Sequence, residues 1–127
     1  MLYALLVYAD PSPWEHMTEE EAAVSRAAVM PRWIAAFEEI GKADPDMQGI
    51  ELDSGTEAKV VRVRHGEQIV TDGPFAETKE LIGGLFLTRL PDLDEAIRIA
   101  SIVPASEYGS IEIRPVIERA ADNGRSS

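Results

Sequence analysis

Apolar residues run without a break from Leu2 to Ala9, where a strand with one wet face would alternate. That pattern predicts a β-strand covered on both faces, stopped by Asp10-Pro11-Ser12-Pro13. In Thr18-Glu19-Glu20-Glu21, Thr18 can cap a helix and Glu21 can reach back to it, with three carboxylates in the first turn where the helix dipole favours them. Val24, Ala27, Ala28, Ile34 and Phe37 then recur near helical spacing as far as Ile40, and Gly41 supplies the expected stop. Pro31 sits inside this pattern, which predicts a kink or a restart, because proline lacks the amide hydrogen and crowds the preceding turn.

Met47 to Asp53 makes a weak short strand after the Asp44-Pro45-Asp46 turn. In Val60-Val61-Arg62-Val63-Arg64 the valines at 61 and 63 fall on one face and the arginines on the other. His65-Gly66 reads as a two-residue turn into a strand over Glu67 to Thr71, giving a hairpin. Gly83 to Leu90 is again apolar on both faces for most of its length. Asp92-Leu93-Asp94-Glu95 repeats the capping logic. Leu93, Ala96, Ile97, Ala100 and Val103 then form a helical stripe that Pro104 ends. Ser110 to Val116 alternates as a strand, and Pro115, unable to donate to a ladder, belongs near a strand end or on an edge. Residues 118–127 carry little that is apolar and are expected to form a mobile tail to a single domain over 1–117.

The order strand, helix, strand, hairpin, strand, helix, strand is an α+β, split βαβ plan with a hairpin inserted before the third core strand. Two helices cover one face of such a sheet. The strands at Leu2 to Ala9 and Gly83 to Leu90 are apolar on both faces, so the other face needs a cover, and a second copy packed face to face supplies it. A homodimer through the sheet face is therefore expected.

Composition narrows the function classes. At 127 residues the chain is long enough to bury roughly two thirds of its unfolded surface in one core. Twelve Lys and Arg against 23 Asp and Glu give a net charge of −11, which disfavours nucleic acid and anionic membranes as partners. With no cysteine, disulfides, thiolate zinc sites, iron–sulfur clusters and a Cys nucleophile are excluded. The opening apolar run is too short to span a bilayer and lacks a basic flank, so a cytoplasmic location is the default expectation.

The densest chemistry lies in Asp72-Gly73-Pro74-Phe75-Ala76-Glu77-Thr78-Lys79-Glu80. Asp72-Gly73 is a turn dipeptide, Pro74 fixes φ and Phe75 offers an anchor. A carboxylate at a strand end beside a rigid turn is placed to act as acid or base, and a nearby lysine would hold it ionised. Asp72 is the first candidate, with Glu77 as a second carboxylate and Lys79 for an anionic ligand, while Glu80 reads as solvated surface. Tyr8 and Trp14 are candidates to line a cavity at the end of the first strand. His16 and His65 are the two imidazoles. His16 is a weak catalytic candidate just before the first helix, and His65 fits a turn needing positive φ. Gly83-Gly84 lacks phosphate-loop spacing and reads as close backbone packing. Arg62, Arg64 and Arg114 would balance Asp72 and Glu112, or bind an anion, if their face is enclosed, and protect strand edges if it is open.

The Asp72-to-Glu80 motif resembles that of the DGPF-domain family within the broader YCII-related group. The likeness extends to the opening strand, the hairpin, Gly83-Gly84, the Asp92-Leu93-Asp94-Glu95-Ala96 helix start and Tyr108-Gly109-Ser110-Ile111-Glu112-Ile113-Arg114-Pro115-Val116. It implies a ferredoxin-like fold that dimerises as an α+β barrel, with no established activity for most members. It also implies a gene setting beside extracytoplasmic-function sigma factors. Some relatives are thought to pair a His on the first helix with an Asp near the sheet, and this chain departs from them in having no His between Thr18 and Ile40.

Two functional expectations follow. One is an acid/base enzyme on a small organic molecule, of isomerase, lyase or dehydrohalogenase type, needing no cofactor or metal, in which Asp72 moves a proton and Gly73, Pro74, Phe75, Glu77, Lys79, Tyr8 and Trp14 shape the pocket. The other is a small-molecule-binding or regulatory accessory protein using the same pocket.

Overall fold

The computed structural model describes residues 1–10, 16–53, 57–73 and 80–119. Strand β1 (Leu2–Ala9) lies inside a four-stranded sheet with β2 (Gln48–Glu51), β5 (Leu81–Arg89) and β6 (Gly109–Pro115), in the order β2-β5-β1-β6. Every pairing in it is antiparallel. Strands β3 (Lys59–Arg64) and β4 (Glu67–Asp72) form a separate two-stranded sheet. With helices α1 (Glu19–Ala43), α2 (Leu93–Ile102) and the short α3 (Ala105–Tyr108), this is an α+β chain of ferredoxin-like plan carrying an inserted hairpin.

Alternation along β1 decides where the core sits. Tyr3, Leu5 and Val7 are buried, and they pack with Phe86, Leu90, Ile40, Ala96, Ile99 and Val103 into one cluster under the helices. Leu2, Ala4, Leu6 and Tyr8 point to the opposite face and are half-buried. Within the single chain the strand is thus covered on one face, not two.

The first helix opens as its sequence requires. The Thr18 hydroxyl accepts from the Glu21 N–H at 3.1 Å and the Glu21 carboxylate accepts from the Thr18 N–H at 3.0 Å. The helix runs as one element with Pro31 inside it, so it does not restart there, and it continues past Gly41, where a stop was expected, to Ala43. Glycine costs a helix about 1 kcal/mol, and here the fully buried Ile40 and a strong cap beyond it hold the last turn in place. That cap is Asp44, only 8% exposed. Its Oδ1 accepts from the Asp46 N–H at 3.0 Å, and its Oδ2 from the Arg89 N–H at 2.7 Å and the Thr88 hydroxyl at 3.2 Å. Desolvation pushes the carboxyl toward protonation, but the three donors and the Arg89 charge outweigh it and hold Asp44 below the usual carboxylate range.

The hairpin turn is as read: His65 has φ 53° and Gly66 φ 76°, the paired positive values of a two-residue hairpin loop. The exposure of the hairpin was not foreseen. Val61, Val63 and Val70 share one face and are 58%, 61% and 50% exposed. At Gly84 a Cβ would lie 2.6 Å from the Ile50 carbonyl oxygen, so glycine there lets β2 approach β5. The expected strand at 47–53 is present but shorter. Helix α2 is capped by Asp92, which accepts from the Glu95 N–H at 2.9 Å. Of the predicted stripe, Ala96, Ala100 and Val103 are buried, whereas Leu93 and Ile97 are exposed and Ile99 takes the core position. Pro104 ends α2 and also opens α3, a four-residue turn too short to show a period in the sequence. Strand β6 is an edge strand with Pro115 as its last residue, as its proline demands. Beyond it, the Glu118 carboxylate is tied to the Arg89 guanidinium by two hydrogen bonds. Residues 120–127 lie outside the described residues. Among the described residues no helix is long and apolar enough to cross a membrane.

Candidate functional site

The helices cover one side of the sheet, so chemistry on the sheet must lie on the other. Cross-strand register sets the neighbours on that open face. On β1 the residues are Leu2, Ala4, Leu6 and Tyr8; beside them on β6 come Arg114 opposite Ala4, Glu112 opposite Leu6 and Ser110 opposite Tyr8. On the other flank Leu87 faces Ala4 and Leu85 faces Leu6, with Ile50 of β2 beyond Leu85. The face is therefore an apolar floor with a polar row, Ser110-Glu112-Arg114, along one side.

Two hydroxyl–carboxylate pairs stand at one end of this row. The Tyr8 hydroxyl donates to Glu112 Oε1 at 3.2 Å. The Ser110 hydroxyl lies 2.9 and 3.1 Å from the two oxygens of Glu80, to which it donates. The Tyr8 phenol is raised above its ordinary pKa by desolvation first, then by its hydrogen bond to the Glu112 carboxylate and by that group's charge, with Arg114 pulling the other way. A phenol held by a carboxylate, beside a cation and an apolar floor, can donate a proton, and the carboxylate can accept one.

Of the residues singled out from the sequence, Tyr8 takes part in this cluster. Glu80 does too: it is half-buried, and its carboxylate accepts the Ser110 hydroxyl in an exposed hydrogen bond. Asp72 is elsewhere, at the end of β4, with its side chain 86% exposed and its Oδ1 2.5 Å from Lys59 Nζ. Lys59 and Asp72 are cross-strand partners on the same hairpin face as Val61, Val63 and Val70. The Gly73 N–H donates to the Ala58 carbonyl at 2.8 Å and extends that ladder by one step. His16 is exposed in the turn before Thr18. Trp14, Pro74, Phe75, Glu77 and Lys79 lie outside the described residues. Sequence reasoning missed Ser110 and Glu80, and placed Glu112 and Arg114 only conditionally. The available signal was the i, i+2 spacing of Ser110, Glu112 and Arg114.

Depressions elsewhere carry less chemistry. An open groove of about 340 Å³ between α1 and α2 is lined by Arg32, Ala35, Ala36, Glu39, Arg98 and Ile102. Its cations are already engaged, Arg32 with Glu107 and Arg98 with Glu95 and Glu39. Among the described residues no three His, Asp or Glu side chains gather as a metal site would need.

An antiparallel sheet with helices on one face and a polar row on the open face defines a small α+β, ferredoxin-like domain with one sheet surface not covered by its own helices. A family model for the YCII-related domain matches residues 1–120. An uncharacterized protein of Rhizobium meliloti (strain 1021) is 37% identical, over 91% of this chain and 92% of that protein. The chain belongs to the YCII-related family.

Proposed function

We propose that the open sheet face, closed by a second copy of the chain, is a cofactor-free acid/base site for a small organic molecule. The observation that carries this reading is the Tyr8–Glu112 hydrogen bond, which is exposed in the single chain, beside an apolar floor whose β1 residues are half-buried. A carboxylate there takes a proton from a carbon next to a carbonyl. The released electron pair either passes into the carbonyl and returns as the proton is delivered to another carbon, giving an isomerase, or expels a leaving group such as halide, giving a lyase or dehydrohalogenase. Tyr8 is the group that donates to oxygen as charge develops.

The hairpin supports a dimer independently. A lone two-stranded hairpin is marginal in water, and this one presents three exposed valines on one side. Asp72 shares that side, so whatever covers the valines also encloses Asp72 and Lys59. Under such a cover Asp72 becomes a second carboxylate for proton transfer. The Lys59 partner also favours another reading, in which the enclosed pair recognises a ligand and the protein acts as a binding or regulatory module, including beside a sigma factor.

Two measurements test this. Sedimentation at micromolar protein should return a dimer, and a stable monomer would remove the enclosed site. Incubation in D₂O with a panel of enolisable carbonyl compounds and halogenated organic acids, followed by NMR, should show deuterium entering carbon or release of halide. An enzyme loses that signal in Glu112→Gln or Asp72→Asn while keeping its fold and ligand-induced shifts. Loss of ligand binding in Asp72→Asn with no turnover in the parent protein would favour the binding module.

A further inference from the structure

Resting on that reading of the open face, we infer that its ligand is a carboxylate with an apolar body, whose head is held by Arg114. The chain carries 23 acidic side chains against 12 Lys and Arg, so an arginine there has no shortage of potential partners. Arg32, Arg89 and Arg98 each sit in a carboxylate pair. Arg114, like Arg26 and Arg64, makes no ion pair among the described residues, and of these three it is the one in the polar row of the four-stranded sheet. Glu112, two residues away on the same strand and the same face, instead accepts the Tyr8 hydroxyl. The cation is thereby left with its fork free while still near enough to act on the Tyr8 phenol.

The surroundings select the rest of the ligand. Arg114 stands opposite Ala4, the smallest side chain of the β1 row, which leaves the least bulk on β1 at that position. Leu87 lies across Ala4, and Leu6 and Leu85 continue the floor toward Ile50. Two strand spacings from β6 to β5 are about 10 Å, which gives the reach of an apolar body held at Arg114 and lying over the leucines. Arginine fits a carboxylate with two parallel hydrogen bonds, whereas an amine would meet it as a like charge. Glu112 stands opposite Leu6, the next same-face pair along from Ala4, so the Tyr8–Glu112 pair borders the ligand on that side.

The probes are hexanoate, hexan-1-ol and hexylammonium, titrated into isotopically labelled protein and read by NMR at Ala4, Leu6, Leu85 and Leu87. Hexanoate should shift these residues and bind at least tenfold more tightly than the other two, and Arg114→Gln should weaken it by about tenfold or more. Lys42→Gln, which removes an exposed cation on α1, should leave it unchanged. Hexylammonium or hexan-1-ol binding as well as hexanoate, or hexanoate binding unweakened in Arg114→Gln, overturns the carboxylate assignment and leaves the open face standing as a binding surface. No shift on the open face with any of the three overturns both the assignment and the site beneath it.

Discussion

Replacing Asp44 with alanine deletes the acceptor for three donors at once. The Thr88 hydroxyl is fully buried and the Arg89 and Asp46 amides lose a charged partner, while the end of α1 loses its link to β5. Hydrogen bonds to a charged group contribute about 1.5–3 kcal/mol each, a buried donor left unpaired costs about 1–3 kcal/mol, and water can replace part of what is lost at the less buried amides, so a total near 2–4 kcal/mol is expected. Asp44→Asn should cost less, because an amide oxygen at the Oδ2 position keeps Thr88 and Arg89 while the amide nitrogen opposes the Asp46 N–H. The pH dependence is signed by the direction of the shift. Asp44 is held below its ordinary pKa when folded, so its contribution is complete above the unfolded value of about 3.9 and disappears as pH falls through the folded value. Urea unfolding at fixed protein concentration, from pH 6 downward, measures both. The parent should lose stability below about pH 4 more steeply than Asp44→Ala. An alanine variant within about 0.5 kcal/mol of the parent, the range of an ordinary surface substitution, or parallel pH curves for the two, would refute the role assigned to this carboxylate.

Glu112→Gln should lower the pKa of Tyr8, since the Glu112 hydrogen bond and charge both raise it. A ¹³C-tyrosine NMR titration, with Tyr8→Phe to assign the signal, reads this, and an unmoved titration would mean the pair is not formed. Gly84→Ala places a methyl 2.6 Å from the Ile50 carbonyl and should destabilise by about 1–3 kcal/mol, with faster amide exchange at Leu52, whose N–H bonds Gly83. Gly83→Ala meets nothing within 4 Å and is the control; equal effects from the two would defeat the close-approach argument.

What could be read from the sequence was local chemistry. Thr18 with Glu21, Asp92 with Glu95, and His65-Gly66 each satisfy backbone groups or set dihedral angles within a few residues, so their outcome needs no tertiary knowledge. Gly41 misled because a helix penalty of about 1 kcal/mol was offset by a buried Ile40 and by Asp44, whose donors at Thr88 and Arg89 lie 44 and 45 residues away. The site was hidden for the same reason. Tyr8 and Glu112 are separated by 104 residues, and Ser110 and Glu80 by 30. The first pair exists because β6 lies beside β1 in one particular register, and the second because β5 also flanks β1, registers that no single segment specifies.

The apolar run of β1 and the alternation of the hairpin, read as two facts about two elements, describe one physical requirement. Leu2, Ala4 and Leu6 need a cover on the side away from the helices, and Val61, Val63 and Val70 need one on their own sheet. Each surface also carries ionisable groups, Tyr8 and Glu112 on the first, Lys59 and Asp72 on the second. In water such pairs are worth little and do little chemistry, because solvent screens them and competes for their hydrogen bonds. Covering the apolar surfaces expels that solvent and strengthens each pair together with its effect on a bound molecule. The proposed dimer and the proposed site therefore stand or fall together. On the proposed reading, a second copy seated on these leucines and valines would give Glu112 and Asp72 the low-dielectric surroundings in which a carboxylate becomes a useful base.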